Sequence, residues 1–252
     1  MSRCARMGDR PVLLGAHRLR AFLRRLALAL ALLTAPLAHA GPEQDQAEFF
    51  AALATDDIHT ERKLLVRGVS PNLHHPQQGP VIVMAAQAKA FGAIRALLDS
   101  RITEVTAVNP QGETALMYLA MFGETELARA LIRRGAQVNQ PGWTPLHYAA
   151  ATGQLGMIRF LVEDQHAYID APSANGTTPL MMAAREGQTR AARLLVELGA
   201  DPSLRNQAGL GAPEYFLRRD QADEARFLAE KASAFLRRYG TQDAPVPAAP
   251  RP

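Results

Sequence analysis

A nine-residue phrase repeated at a near-constant interval constrains this chain more than any other feature. Gly-Glu-Thr-Ala-Leu-Met-Tyr-Leu-Ala opens at Gly112. It returns at Gly142 as Gly-Trp-Thr-Pro-Leu-His-Tyr-Ala-Ala and at Gly176 as Gly-Thr-Thr-Pro-Leu-Met-Met-Ala-Ala. A weaker copy runs over residues 79–86. The third position of the phrase falls at Val81, Thr114, Thr144, Thr178 and Gly211, with spacings of 33, 30, 34 and 33 residues. A period near 33 describes a stack of small units whose apolar faces are buried only against their neighbours. Such a chain offers a long surface for contact rather than one enclosed catalytic pocket.

Each unit reads as two helices. Thr144 suits a helix N-cap, because its hydroxyl accepts from a free amide of the first turn. Pro145 follows at the first helical position, where its missing N–H costs nothing. Leu146 and the Ala149–Ala150 pair face inward, and the small alanines let neighbouring helices approach. Gly153 ends the first helix. Ile158, Leu161 and Val162 form the apolar stripe of a second, antiparallel helix. Gly135 ends the equivalent helix of the preceding unit. In the fourth unit one extra residue falls near His166, where glycine is expected.

In its linked motifs, the chain resembles the ankyrin repeat, with the pattern G-x-T-P-L-H-x-A-A-x-x-G and a closing G-A-D-V-N. The likeness covers about 45–239 and is closest over units three to five. Repeats fall near 45–77, 78–109, 110–139, 140–170 and 171–203, with a more charged C-terminal cap over 204–239 and a Pro/Ala tail over 240–252 expected to be extended or disordered. The resemblance implies an all-α solenoid of about five to six helix-turn-helix units with short hairpin or turn fingers. It also implies a non-catalytic module that binds a protein partner through its concave helix face and fingers. Two fingers are cut short: Asn109 and Gly112 enclose two residues, as do Asn139 and Gly142, where the family's spacing has five. Tight turns are expected there, leaving a notch.

Charge argues against nucleic acid. The formal net charge of the whole chain is +4, but seven of the 28 basic residues and one of the 24 acids lie in residues 1–40. That segment reads as a cleaved secretory signal peptide: an Arg-rich start, a short apolar run, and a small-x-small end at Ala38, His39 and Ala40. The apolar run is too short to span a bilayer, so no stable membrane anchor is expected after cleavage. The remainder has 21 basic and 23 acidic residues, a net of −2, which removes the basic-surface case for nucleic acid. The single Cys4 lies in the removed segment, so thiol chemistry and cysteine metal sites are excluded from the mature chain. The expected setting is the periplasm of a Gram-negative bacterium, with secretion as the alternative, and the exported chain is expected to be a monomer. Two further functions stay open on the same surface: an accessory factor protecting a periplasmic enzyme, and a secreted effector binding host proteins.

No cofactor, metal site or catalytic residue is expected. His147 fits a local hydrogen bond to Thr144, which Met84, Met117 and Met181 forgo in the other units. His74 and His75 form part of a finger with no further ligand at metal spacing. Trp143 is expected to be partly packed. Arg129, Arg133, Arg134, Arg159, Arg190 and Arg193 on second helices read as a solvated face. The candidate protein-binding strip is Tyr118, Met121, Phe122, Tyr148, Thr152, Arg185 and Glu186. These are expected at exposed positions on successive first helices, giving an aromatic centre beside a polar rim.

Overall fold

A computed structural model describes residues 41–240, so the leader 1–40 and the tail beyond Gly240 lie outside the described residues. Twelve helices follow one another in antiparallel pairs: α1 (Pro42–Thr55) with α2 (Ile58–Val66), α3 (Val81–Ala88) with α4 (Phe91–Asp99), α5 (Ala115–Phe122) with α6 (Thr125–Arg133), α7 (Pro145–Thr152) with α8 (Leu155–Arg159), α9 (Pro179–Arg185) with α10 (Thr189–Glu197), and α11 (Ala212–Leu217) with α12 (Ala222–Tyr239). The first helices stack in chain order from α1 to α11, while α2 packs on α4, α4 on α6, and α8 on α10. The fold is therefore the all-α solenoid that the repeats imply.

Two of the capping threonines act as the sequence requires, while the Thr144 hydroxyl meets His147 Nδ1 at 2.9 Å rather than a first-turn amide. Thr114 and Thr178 accept at Oγ1 from the amides of Met117 and Met181, both at 3.3 Å. Thr114 also donates its backbone N–H to the Met117 sulfur at 3.4 Å, so methionine supplies a weak substitute for the histidine acceptor. Ala149 and Ala150 are fully buried, which lets α7 lie close against α5 and α9. One apolar core runs unbroken from Phe49 through Leu116, Leu146 and Leu180 to Phe216 and Leu228.

The extra residue of the fourth unit is absorbed inside its second helix. After Arg159 the backbone widens to a π turn over Phe160–Asp164, closed by the Gln165 amide on the Phe160 carbonyl at 3.1 Å. His166 then takes a left-handed φ of 53° in the slot that Gly135 and Gly199 fill at 98° and 102°. Asn139 of the preceding unit steadies the strained turn, donating Nδ2 to the His166 carbonyl and accepting from the Tyr168 amide.

The fingers differ in length. In the first, β1 (His74–His75) pairs antiparallel with β2 (Gly79–Pro80). The second closes tightly, the Gly112 amide donating to the Asn109 carbonyl at 2.9 Å and the Asn109 amide to that of Glu113 at 3.0 Å. The second-helix arginines keep the solvated face expected of them at Arg133, Arg159 and Arg190, but others also reach across unit boundaries. Arg129 sits 4.5 Å above the Phe160 ring and 3.5 Å from Asp164 of the next unit. Arg193 makes a two-pronged contact with Glu224 across the next boundary, at 2.9 and 3.0 Å. Arg134 donates to carbonyls of the preceding unit. Three of the six thus tie neighbouring units together.

Candidate functional site

The first-helix face carries a polar centre that spans three units. Glu113 sits between the finger glycine Gly112 and the capping Thr114, and is 7 % exposed. Its local turn is fixed by Asn109, whose Oδ1 accepts from the Glu113 amide at 2.9 Å while its Nδ2 donates to Glu113 Oε2 at 2.8 Å. The Tyr118 hydroxyl of α5 donates to the same oxygen, and the Tyr148 hydroxyl of α7 donates to Oε1 at 2.8 Å. Gln87 of α3 completes the chain by donating Nε2 to the Tyr118 hydroxyl at 2.7 Å. The tyrosine rings lie 6.3 Å apart at a 54° tilt. Burial first, and then the neighbouring carboxylate, push both phenols far above their ordinary range, so both stay protonated donors at any physiological pH.

This corrects the expectation for Tyr118 and Tyr148. Both are buried, at 9 % and 5 % exposure, and their hydroxyls are committed to Glu113 rather than turned to solvent. They form the floor of the face. The residues that made this possible, Glu113, Asn109 and Gln87, are absent from the candidate strip. The available signal was an acid in the slot that holds Pro80, Trp143 and Thr177 in other units.

The rest of the strip is half-buried and lies towards the C-terminal ends of the first helices. Phe122 is packed against the core, with Lys89 Nζ 4.4 Å above its ring and the Phe91 ring 6.4 Å away at 63°. The Met121 carbonyl accepts from the Thr152 hydroxyl at 2.8 Å and from Gln154 Nε2 at 3.2 Å, so Thr152 is an inter-unit tie as well as a surface group. Arg185 and Glu186 pair with each other at 3.2 Å. The structure therefore brings Met121, Phe122 and Thr152 together, sets Arg185 and Glu186 further along the stack, and withdraws the two tyrosines beneath.

The histidines separate by role. His147 is fully buried, and burial pulls its pKa down to about 4. Its Nδ1 accepts from the Thr144 amide at 3.1 Å, which leaves Nε2 protonated to donate to the Thr177 carbonyl at 3.0 Å. The local bond expected from the sequence is present, and a second bond crosses to the next unit. His75 packs edge-on against Phe50 at 5.4 Å. Trp143 is half-buried with its edge against His147 at 5.1 Å. Among the described residues no group of three or more side chains is arranged to hold a metal ion, and no helix is long and apolar enough to cross a membrane.

Stacked helix pairs with threonine caps, short fingers and a continuous first-helix row define a repeat protein of the ankyrin class. Residues 49–141 and 135–206 match the family model described as ankyrin repeats (3 copies), and the chain belongs to that family. It is 30 % identical to neurogenic locus notch homolog protein 1 of Xenopus tropicalis over 125 residues, which is 48 % of this chain and 5 % of that protein. It is 33 % identical to the nuclear factor NF-kappa-B p105 subunit of Mus musculus over 132 residues, 50 % of this chain and 14 % of that protein. A third relative, transient receptor potential cation channel subfamily A member 1 of Homo sapiens, is 24 % identical over 59 % of this chain and 14 % of its own length. The chain thus spans a small part of these relatives, and what it shares with them is the repeat region. Ankyrin repeats are protein-interaction modules and are generally not enzymes, which agrees with a non-catalytic binding role.

Proposed function

We propose that this chain is a non-catalytic protein-binding module that works in the periplasm of a Gram-negative bacterium and grips its partner on the first-helix face and adjoining fingers. The carrying observation is the Phe122 platform. A large aromatic, half-buried at a helix end, is held by Phe91 and Lys89 and flanked by Met121 and Thr152. A rigid aromatic with a polar surround is what interfaces favour as an anchor. Arg185 and Glu186 extend the surface as a polar margin, while Tyr118 and Tyr148 stiffen it from below. The periplasmic setting rests on the leader-like residues 1–40.

The test has two arms. Full-length chain carrying a C-terminal tag is expressed with its leader, and periplasmic proteins retained by it are compared with those retained by a Met121→Ala/Phe122→Ala variant. A specific partner lost from the variant at unchanged melting temperature supports the reading. A partner retained equally by both places binding elsewhere, and a product that stays cytoplasmic removes the periplasmic part.

A further inference from the structure

The row of fingers has one place left open. The turn at Asn109–Gly112 is built as those of the fourth and fifth fingers are: the amides of Gly112, Gly176 and Gly209 donate to the carbonyls of Asn109, Ser173 and Asn206 at 2.9, 2.8 and 2.8 Å. The second finger is therefore whole, and its short spacing in the sequence is that of the turn itself. The third finger is not whole. Thr114 and Thr144 are 30 residues apart where the neighbouring spacings are 33 and 34, and no backbone hydrogen bond closes a turn within residues 137–143.

Where two whole fingers adjoin, they touch closely. A side-chain carbon placed on Gly79 of the first finger would lie 3.1 Å from the Asn109 Cα, and one on Gly176 of the fourth would lie 3.4 Å from the Asn206 Cα. Gly112 has the same turn conformation, with φ 77° against 78° for Gly176, yet a carbon placed there meets nothing within 4 Å. The fifth finger also bonds to the fourth. Gln207 donates its backbone N–H to the Asn175 carbonyl at 3.0 Å and its Nε2 to the Ala174 carbonyl at 3.1 Å. In the second finger the matching carbonyls belong to Gln111 and Pro110. Both residues are exposed, and neither carbonyl accepts a hydrogen bond from any described residue. Between the residues leading into the second finger and those of the third lies a depression of about 260 Å³. It is lined among others by Val105, Val108, Ala136, Gln140 and Pro141, and Val108 is 48 % exposed.

We infer that this gap receives a turn of the protein partner that takes the place of the third finger's missing tip. The inference rests on the protein-binding reading and specifies the partner's chemistry. The occupant is an extended segment with a tight turn and a Gln or Asn at its tip. It donates its backbone N–H to the Gln111 carbonyl and its side-chain amide to that of Pro110, while an apolar neighbour enters the depression. The molecule's own finger row identifies this occupant, because the fourth and fifth fingers already make the same interface with each other. The two acceptors sit on a turn that is ordered before binding, which lowers the cost of association.

The probe is the fifth finger itself, a backbone-cyclised peptide of the sequence at 204–210, titrated into the 15N-labelled full chain. Saturable shifts are expected at the amides of Gln111 and Gly112, whose peptide groups carry the two carbonyls, and at Gln140, with a Kd of about 1 mM or tighter. A peptide with alanine in place of the glutamine should bind at least about threefold more weakly. Inserting three residues after Gln140, the difference between spacings of 33 and 30, rebuilds the third finger and should abolish the shifts. Because an insertion can disturb the fold, Val108→Arg serves as a second variant. It crowds the depression from an exposed position and should abolish the shifts at unchanged melting temperature. No saturable shifts, equal binding of the two peptides, or shifts that survive in Val108→Arg overturn the inference. Self-association of the chain that Val108→Arg removes would give the gap to a second copy and overturns it as well. If Met121→Ala/Phe122→Ala loses the partner while Val108→Arg keeps it, the protein-binding reading stands and this inference falls. If Val108→Arg loses the partner while Met121→Ala/Phe122→Ala keeps it, the gap is the binding site and the Phe122 anchor falls.

Discussion

His147 of α7 donates its Nε2–H to the carbonyl of Thr177 in the following unit at 3.0 Å, while its Nδ1 closes the cap of its own helix on the Thr144 amide at 3.1 Å. One ring therefore fixes a helix start and a unit boundary at the same time. His147→Ala leaves a buried N–H and a buried carbonyl without partners and opens a small cavity, for a loss of about 2–4 kcal/mol in urea melts. A loss well under about 1 kcal/mol would mean water or a rearrangement satisfies both groups.

The same ring should stay neutral through the physiological range. Its pKa in the folded chain is about 4, against 6.5 for the free side chain, chiefly through burial. A histidine with a depressed folded pKa contributes stability that is complete above 6.5 and is lost as pH falls through about 4. The 15N shifts of His147 should hold the neutral Nε2–H pattern from pH 8 to pH 5, while the finger histidines serve as internal comparison. Protonation near pH 6.5 would contradict the buried donor-acceptor arrangement.

At the other end of the array Glu61 of α2 has the opposite dependence. It is 1 % exposed, and neither carboxylate oxygen has a hydrogen-bond partner. Burial, and then the charges of Asp56 and Asp57, raise its pKa to about 7 from 4.5. Two arginines close to it in sequence pair elsewhere, Arg62 with Asp99 and Arg67 with Asp45. A raised acid contributes stability that is fully present below about 4.5 and is lost as pH rises through about 7. Amide exchange in α1 and α2 should therefore quicken between pH 5 and pH 8, after correction for intrinsic rates. Glu61→Gln should flatten that trend. A local opening free energy unchanged with pH in wild type would show that Glu61 reaches water or a cation.

Much of this was legible in the sequence because each repeat restates the same local physics. The Thr-Pro entries, the alanine pairs and the turn glycines fixed helix starts, close packing and helix ends without tertiary knowledge. The short spacing from Asn109 to Gly112 likewise announced a tight turn. What escaped was everything that depends on which unit lies next to which. Tyr118 and Tyr148 share a repeat position and looked like an exposed aromatic pair. Their burial follows from Glu113, whose slot holds a different residue type in each unit and so carries no periodic signal. Arg134 and Arg129 looked like ordinary surface charges because their partners lie some thirty residues away, across a unit boundary.

Leu146 tests the register of the core directly. It is 1 % exposed within the unbroken apolar cluster, on a helix flanked by α5 and α9. Leu146→Ala should cost about 2–5 kcal/mol, because surrounding helices relax only partly into the space. The loss should reach beyond its own unit, since stability in a stacked array depends on neighbouring interfaces. Exchange protection in α5 and α9 should fall together with that in α7. A loss confined to α7 would show weaker coupling between units than the continuous core implies.

Arg134 tests whether a second-helix arginine replaces a missing glycine. Helix α4 ends at Asp99 and is followed by Ser100, Arg101 and Ile102, where other units place glycine, and Ser100 stays extended at φ −84° and ψ 123°. The left-handed closure that would satisfy its last carbonyls is therefore absent. Arg134 of the next unit supplies the donors instead, at 2.7 Å to the Leu98 carbonyl and 2.9 Å to those of Ser100 and Arg101. Arg134→Ala should destabilise the array by about 1–3 kcal/mol and raise amide exchange over the last turn of α4. Arg134→Lys should restore less than half of the loss, because one ammonium cannot reach three carbonyls as a planar fork does. Full rescue by lysine would show that charge near the helix C-terminus matters more than the fork. No effect of alanine would show that water caps α4 equally well.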